Sequence, residues 1–77
     1  MGQSIDDNTI TASVKAKLVE DKAVNWTRVH VTTERGTVYL TGVVDSLNRK
    51  DRAGQLASQV KGVKDVVNNL QVDRTAG

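Results

Sequence analysis

The stretch Gly36-Thr37-Val38-Tyr39-Leu40-Thr41-Gly42-Val43-Val44 decides the fold. From Thr37 onward apolar and polar side chains alternate with the period of two that a half-buried β-strand requires. Val38, Leu40 and Val44 are expected to face a core, with Thr37, Tyr39, Thr41 and Val43 facing out. Gly42 falls on the inward side, where a missing side chain predicts close packing of a helix. Upstream, Val29, Val31 and Thr33 alternate with Arg28, His30 and Thr32, which reads as a second strand. Between the two, Glu34-Arg35-Gly36 supplies a glycine able to take positive φ, so the strands should form a hairpin.

Amphipathic helices flank this hairpin. Ile10, Val14 and Leu18 recur every four residues, with Thr11 and Val19 at the edges of the stripe, and predict a helix over 8–21. Asp6, Asp7 or Asn8 can cap it, and the acids suit the positive end of the helix dipole. Lys15, Lys17 and Glu20 lie off the stripe and should be solvated, and 21–27 breaks the period and reads as a connection. Downstream, Ala53, Leu56, Ala57 and Val60 form a helical stripe over 46–61, with Asp45 or Ser46 as cap and Gly62 where a left-handed C-terminal cap is expected. A last strand over 64–73 alternates Val66, Asn68, Leu70 and Val72 with Val67, Asn69 and Gln71, and 73–77 is expected to fray.

A small sheet with one oily face needs a cover, and two amphipathic helices supply it. The expected fold is therefore α+β, a two-layer αββαβ sandwich with a three-stranded mixed sheet and both helices on one face. The pairing partner of the third strand stays open. Residues 1–6 are expected to be disordered or extraneous to the domain, 7–73 to form it, and 74–77 to fray.

Composition narrows the function. The 77 residues contain no Cys, no Phe and a single His, so disulfides, thiolate metal sites and a His cluster are ruled out, and the core must be aliphatic. Eleven basic residues against nine acidic give a mild positive bias, compatible with an anionic surface but unlike a nucleic-acid-binding composition. Gly36, Gly42, Gly54 and Gly62 are never spaced as a G-x-x-G backbone clamp, and stacking aromatics are lacking. No run approaches the roughly 18–20 apolar residues of a membrane span, and no signal peptide or myristoylation signal opens the sequence. His30 on a short strand has no nucleophile elbow for company, and the acidic pairs are explained by capping and solvation.

The ordered set Gly36-x-Val38-x-Leu40-x-Gly42-x-Val44 resembles the BON signature G-x-V-x-L-x-G-x-V. Arg52-Ala53, Ala57, Val60-Lys61-Gly62-Val63, Val66, Asn68, Leu70 and Val72 match that family's second helix, Gly-Val turn and last strand, and Ile10, Val14 and Leu18 fit its first helix. The resemblance covers about residues 7 to 72. It implies a bacterial, periplasmic or envelope-associated module without catalytic residues or cofactor, connected with osmotic or envelope stress and proposed to bind phospholipid. The matched positions are glycines and core aliphatics, so they report fold rather than a site.

Candidate binding residues lie outside that pattern. Arg49, Lys50 and Arg52 cluster where the second helix begins, with Arg49 and Arg52 on neighbouring positions beside the apolar stripe. Long basic side chains there suit an anionic headgroup layer; equally, they solubilise an exposed helix. Trp26, an amphipathic indole in a connection, suits a membrane interface or a protein contact, and would also serve as a lid on a core that owns no Phe. Three functions follow as expectations: peripheral binding of anionic phospholipid through Trp26, Arg49, Lys50 and Arg52; a protein-interaction module using a strand edge or the sheet face around Tyr39 and Val43; and, least supported, a hydrolase. No catalytic, metal or cofactor residue is assigned.

Overall fold

A computed structural model describes residues 6–20 and 28–73. Within them the chain runs α1 (Asp7–Glu20), β1 (Val29–Glu34), β2 (Thr37–Val44), α2 (Leu47–Ser58) and β3 (Asp65–Val72), the αββαβ order that the periodicities give. The connection at 21–27, with Trp26 in it, and both chain ends lie outside the described residues.

Of the three capping candidates for α1, Asp6 takes the role: its Oδ1 accepts the Thr9 amide at 2.8 Å. That bond favours the ionised carboxylate and holds its pKa below the ordinary 3.8. Asp7 reaches instead to the hairpin, where its carboxylate accepts the backbone amides of Arg35 at 3.0 Å and Gly36 at 3.1 Å. The two turn residues have φ of 52° and 83°, the signature of a two-residue type I′ turn whose twist matches the flanking strands. The sequence advertised the glycine. It gave no sign that Arg35 is also left-handed, and the grip of Asp7 helps hold it there.

β2 is the centre of the sheet, antiparallel to β1 and parallel to β3. The open question of the third strand is thus settled: α2 returns the chain to the starting end of β2, as a parallel connection must. α1 packs on β1 while α2 packs on β2 and β3, all on one face. Ile10, Val14 and Leu18 meet Val31, Val38, Leu40, Val44 and Leu70 from the strands, Ala53 and Ala57 from α2, and Val60 from just beyond it, in one core. Thr33 is the buried exception, and its hydroxyl accepts a hydrogen bond from Thr11 at 2.8 Å across the α1–β1 seam. Among the described residues no buried polar side-chain atom lacks a partner, as low-dielectric burial requires.

Five expectations need correcting. Gly42 does make room for a close neighbour, but that neighbour is not a helix: a Cβ there would stand 2.0 Å from the carbonyl oxygen of Arg28, where the chain enters β1. α2 ends at Ser58 rather than 61, capped by Gln59 in a right-handed conformation. Tight turns follow, with Val60 donating to the Ala57 carbonyl and Val63 to that of Val60, which keeps Val60 in the core; Gly62 (φ 97°) belongs to these turns and not to a helix cap. Val19, placed at the edge of the α1 stripe, is 72% exposed. Asp73 does not fray, since its amide donates to the Val44 carbonyl at 2.8 Å and extends the ladder.

Candidate functional site

Arg49, Lys50 and Arg52 all lie on the first turns of α2, where Arg49 and Arg52 are i,i+3 neighbours and Lys50 projects from a different side of the helix than Arg52. Ser46, in extended conformation, caps this helix by accepting the Arg49 amide at 3.2 Å, which fixes where the turn of basic residues begins. Arg49 and Lys50 are half-buried and Arg52 is exposed. The Arg49 guanidinium pairs with the Asp45 carboxylate one turn earlier. Both partners are partly exposed, so the pair contributes about 0–1 kcal/mol and is readily exchanged for another anion. Asp45 and Asp51 share this region with the three cations, so its positive field is modest. Trp26, the fourth candidate, lies outside the described residues.

The inward face of α2 at this point carries a feature that charge reasoning missed. The backbone carbonyl of Lys50 accepts the side-chain amide of Asn68 at 2.7 Å, and Asn68 Oδ1 accepts the Leu70 amide at 3.3 Å. Asn68 thereby ties the basic turn to β3. Its polar side chain on an inward strand position was the available signal, since a buried amide needs partners on both ends.

On the other helix, Thr9, Ser13, Ala16, Lys17 and Glu20 line an open groove of about 410 Å³ completed by Gln59, Val60 and Lys61. It brings Lys17 and Lys61 to one surface, a juxtaposition invisible when each lysine is read on its own helix. The sheet face opposite the helices carries Tyr39 and Val43, half-buried, and Val67, 36% exposed. Among the described residues no group of His, Cys, Asp and Glu is arranged to hold a metal ion, and no helix is long and apolar enough to cross a membrane.

Comparison with known proteins places the chain in a family. The BON domain model matches residues 6–74, nearly the whole chain, and the chain belongs to the BON domain family. It is 45% identical over 65 residues to osmotically-inducible protein Y of Escherichia coli (strain K12), covering 84% of this chain and 32% of that protein. To the outer membrane lipoprotein DolP of Haemophilus influenzae it is 38% identical over 61 residues, covering 79% of this chain and 31% of that one. The chain thus spans about a third of the length of these relatives. Its fold is similar to the C-terminal domain of CdsD, the structural protein of the type III secretion system of Chlamydia trachomatis, with a TM-score of 0.74 at 20% identity, covering 90% of this chain and 34% of that one.

Proposed function

We propose that this chain is a non-enzymatic binding module of the bacterial cell envelope, periplasmic or membrane-associated, that docks on anionic phospholipid. Its membership of the BON family and its similarity to an osmotically inducible protein and an outer membrane lipoprotein support the compartment and the link to osmotic or envelope stress. The observation that supports the lipid reading is the presence of three cations, Arg49, Lys50 and Arg52, on the first turns of α2, with Arg52 exposed and Arg49 and Lys50 half-buried. Each cation brought to an anionic surface contributes about 1 kcal/mol, and Arg49 can trade its weak pairing with Asp45 for a lipid phosphate. Three such charges give marginal affinity, so insertion of the Trp26 indole or multivalent display completes it. Co-sedimentation with vesicles tests the reading: pelleting with phosphatidylglycerol vesicles but not phosphatidylcholine, weakening as salt rises, is expected. Equal pelleting with both, or none with either, overturns it.

A second reading, a protein-interaction or scaffold module, is favoured by the uncovered sheet face with Tyr39, Val43 and Val67. Both helices pack on the other side, and among the described residues no element packs on this face. Envelope cross-linking through a photoreactive group at residue 43 tests it; absence of any protein adduct counts against it.

A further inference from the structure

We propose that the outer edge of β3 is a latent pairing surface for a second copy of this chain, held closed by the side chain of Asn68. The direction of each β3 amide follows from the ladder. Asp73 donates to the Val44 carbonyl at 2.8 Å, and the register to β2 runs unbroken from Asp65 to Val72. Odd-numbered residues of β3 therefore turn their backbone groups to β2, and Val66, Asn68, Leu70 and Val72 turn theirs to the open edge. From Val66 to Val72 the strand holds no charge, no Pro and no Gly. An edge of this composition is a template for adding another strand.

The edge fits itself. In a two-fold antiparallel pairing centred on Asn69, Val66 faces Val72 of the second copy and Asn68 faces Leu70, so all four outward residues find partners. The centre of that pairing needs the Leu70 amide as a donor to the other copy. Asn68 has already taken it, at 3.3 Å. The carboxamide is held in this orientation because its Nδ2 donates to the Lys50 carbonyl, which leaves only Oδ1 for Leu70. Gly54 gives it the room: a Cβ at that position would lie 2.9 Å from Asn68 Nδ2. A helix carbonyl, a helix glycine and a strand amide thus combine to block one donor at the middle of an otherwise receptive edge.

Sedimentation velocity over a concentration series, with amide exchange read by NMR, tests the proposal on the intact chain. Wild type is expected to be a monomer whose Leu70 amide exchanges more slowly than those of Val66 and Val72. Asn68→Val is expected to form a dimer, and Asn68→Val/Asn69→Lys, which opposes two lysines across the two-fold axis, to return to a monomer. Gly54→Ala supplies an independent route, since its methyl displaces the flexible amide while Asn68 remains, and is expected to dimerise too; it carries the test if Asn68→Val does not fold. A dimeric wild type, a folded monomeric Gly54→Ala or Asn68→Val, a dimer that survives Asn69→Lys, or a Leu70 amide exchanging as fast as its edge neighbours overturns it.

Discussion

Asp7, the first residue of α1, holds Gly36 at the tip of the hairpin twenty-nine positions later in the chain. One carboxylate accepts two adjacent amides, those of Arg35 and Gly36, and so joins the start of a helix to a turn that has no helical partner of its own. Hydrogen bonds to a charged acceptor are worth more than neutral ones, and the Gly36 bond is partly buried. Asp7→Ala is expected to cost about 1–2 kcal/mol. In a domain of this size that lowers Tm by roughly 4–16 °C, read from a thermal melt followed by circular dichroism. An unchanged melt means the turn holds itself.

The core sets the stability of the whole. Leu40 is fully buried at the centre of the middle strand, and Leu40→Ala is expected to cost about 2–5 kcal/mol, comparable to the margin of so small a domain. Leu56 packs against the core but is only partly buried, so Leu56→Ala should cost less, about 1–2 kcal/mol. Urea denaturation of both variants checks the order; equal midpoints contradict it.

Gly42 is the backbone position that tolerates least. Its φ of 121° disfavours any L side chain, and a Cβ would stand 2.0 Å from the Arg28 carbonyl oxygen. Gly42→Ala is expected to cost about 3 kcal/mol or more and to leave much of the population unfolded at 37 °C. Gly36→Ala, at φ 83°, meets the flexible side-chain carbons of Lys64 at 3.1 Å and the Gly62 carbonyl oxygen at an ordinary 3.4 Å, and should cost less, about 1–2 kcal/mol, from the left-handed backbone. Dispersion of the amide proton spectrum distinguishes the two.

Asp6 ties stability to acid pH. Its carboxyl pKa is lowered in the folded chain by the Thr9 amide, so the folded state binds its proton less readily than the unfolded state does. The cap therefore contributes fully above the unfolded value near 3.8 and is lost as pH falls through the lower folded value. Asp6→Asn keeps an acceptor that does not titrate. It is expected to hold helicity at neutral pH and to flatten the fall in Tm below pH 3.8; an identical acid profile for both proteins rules Asp6 out as a contributor.

Most of the fold could be read along the chain because each element is amphipathic at its own period. Val38 and Leu40 mark an inward strand face, Ile10, Val14 and Leu18 a helix stripe, and these contacts are between residues whose partners are set by periodicity alone. What stayed hidden depends on neighbours distant in sequence. The space at Gly42 is filled by a backbone carbonyl from the residue before β1, and Arg35 is left-handed in a turn gripped by an acid twenty-nine residues from its neighbour Gly36. Asn68 reads as a polar residue on an oily face until α2 brings the Lys50 carbonyl over it. The basic turn was legible, since Arg49, Lys50 and Arg52 are near neighbours in sequence; the Asp45 pairing that tempers it is a packing outcome that spacing permits without requiring. Lys17 and Lys61 needed the tertiary fold to meet.

A residue-by-residue map of amide chemical shifts on titration with phosphatidylglycerol-containing micelles, beside phosphatidylcholine micelles as control, tests the proposed function most directly. The expected result is saturable change confined to the anionic micelles and concentrated at Arg49, Lys50 and Arg52 and around Trp26, reduced when Arg49 and Arg52 are both replaced by Gln. Shifts absent from that region, or equal in the two lipids, contradict it.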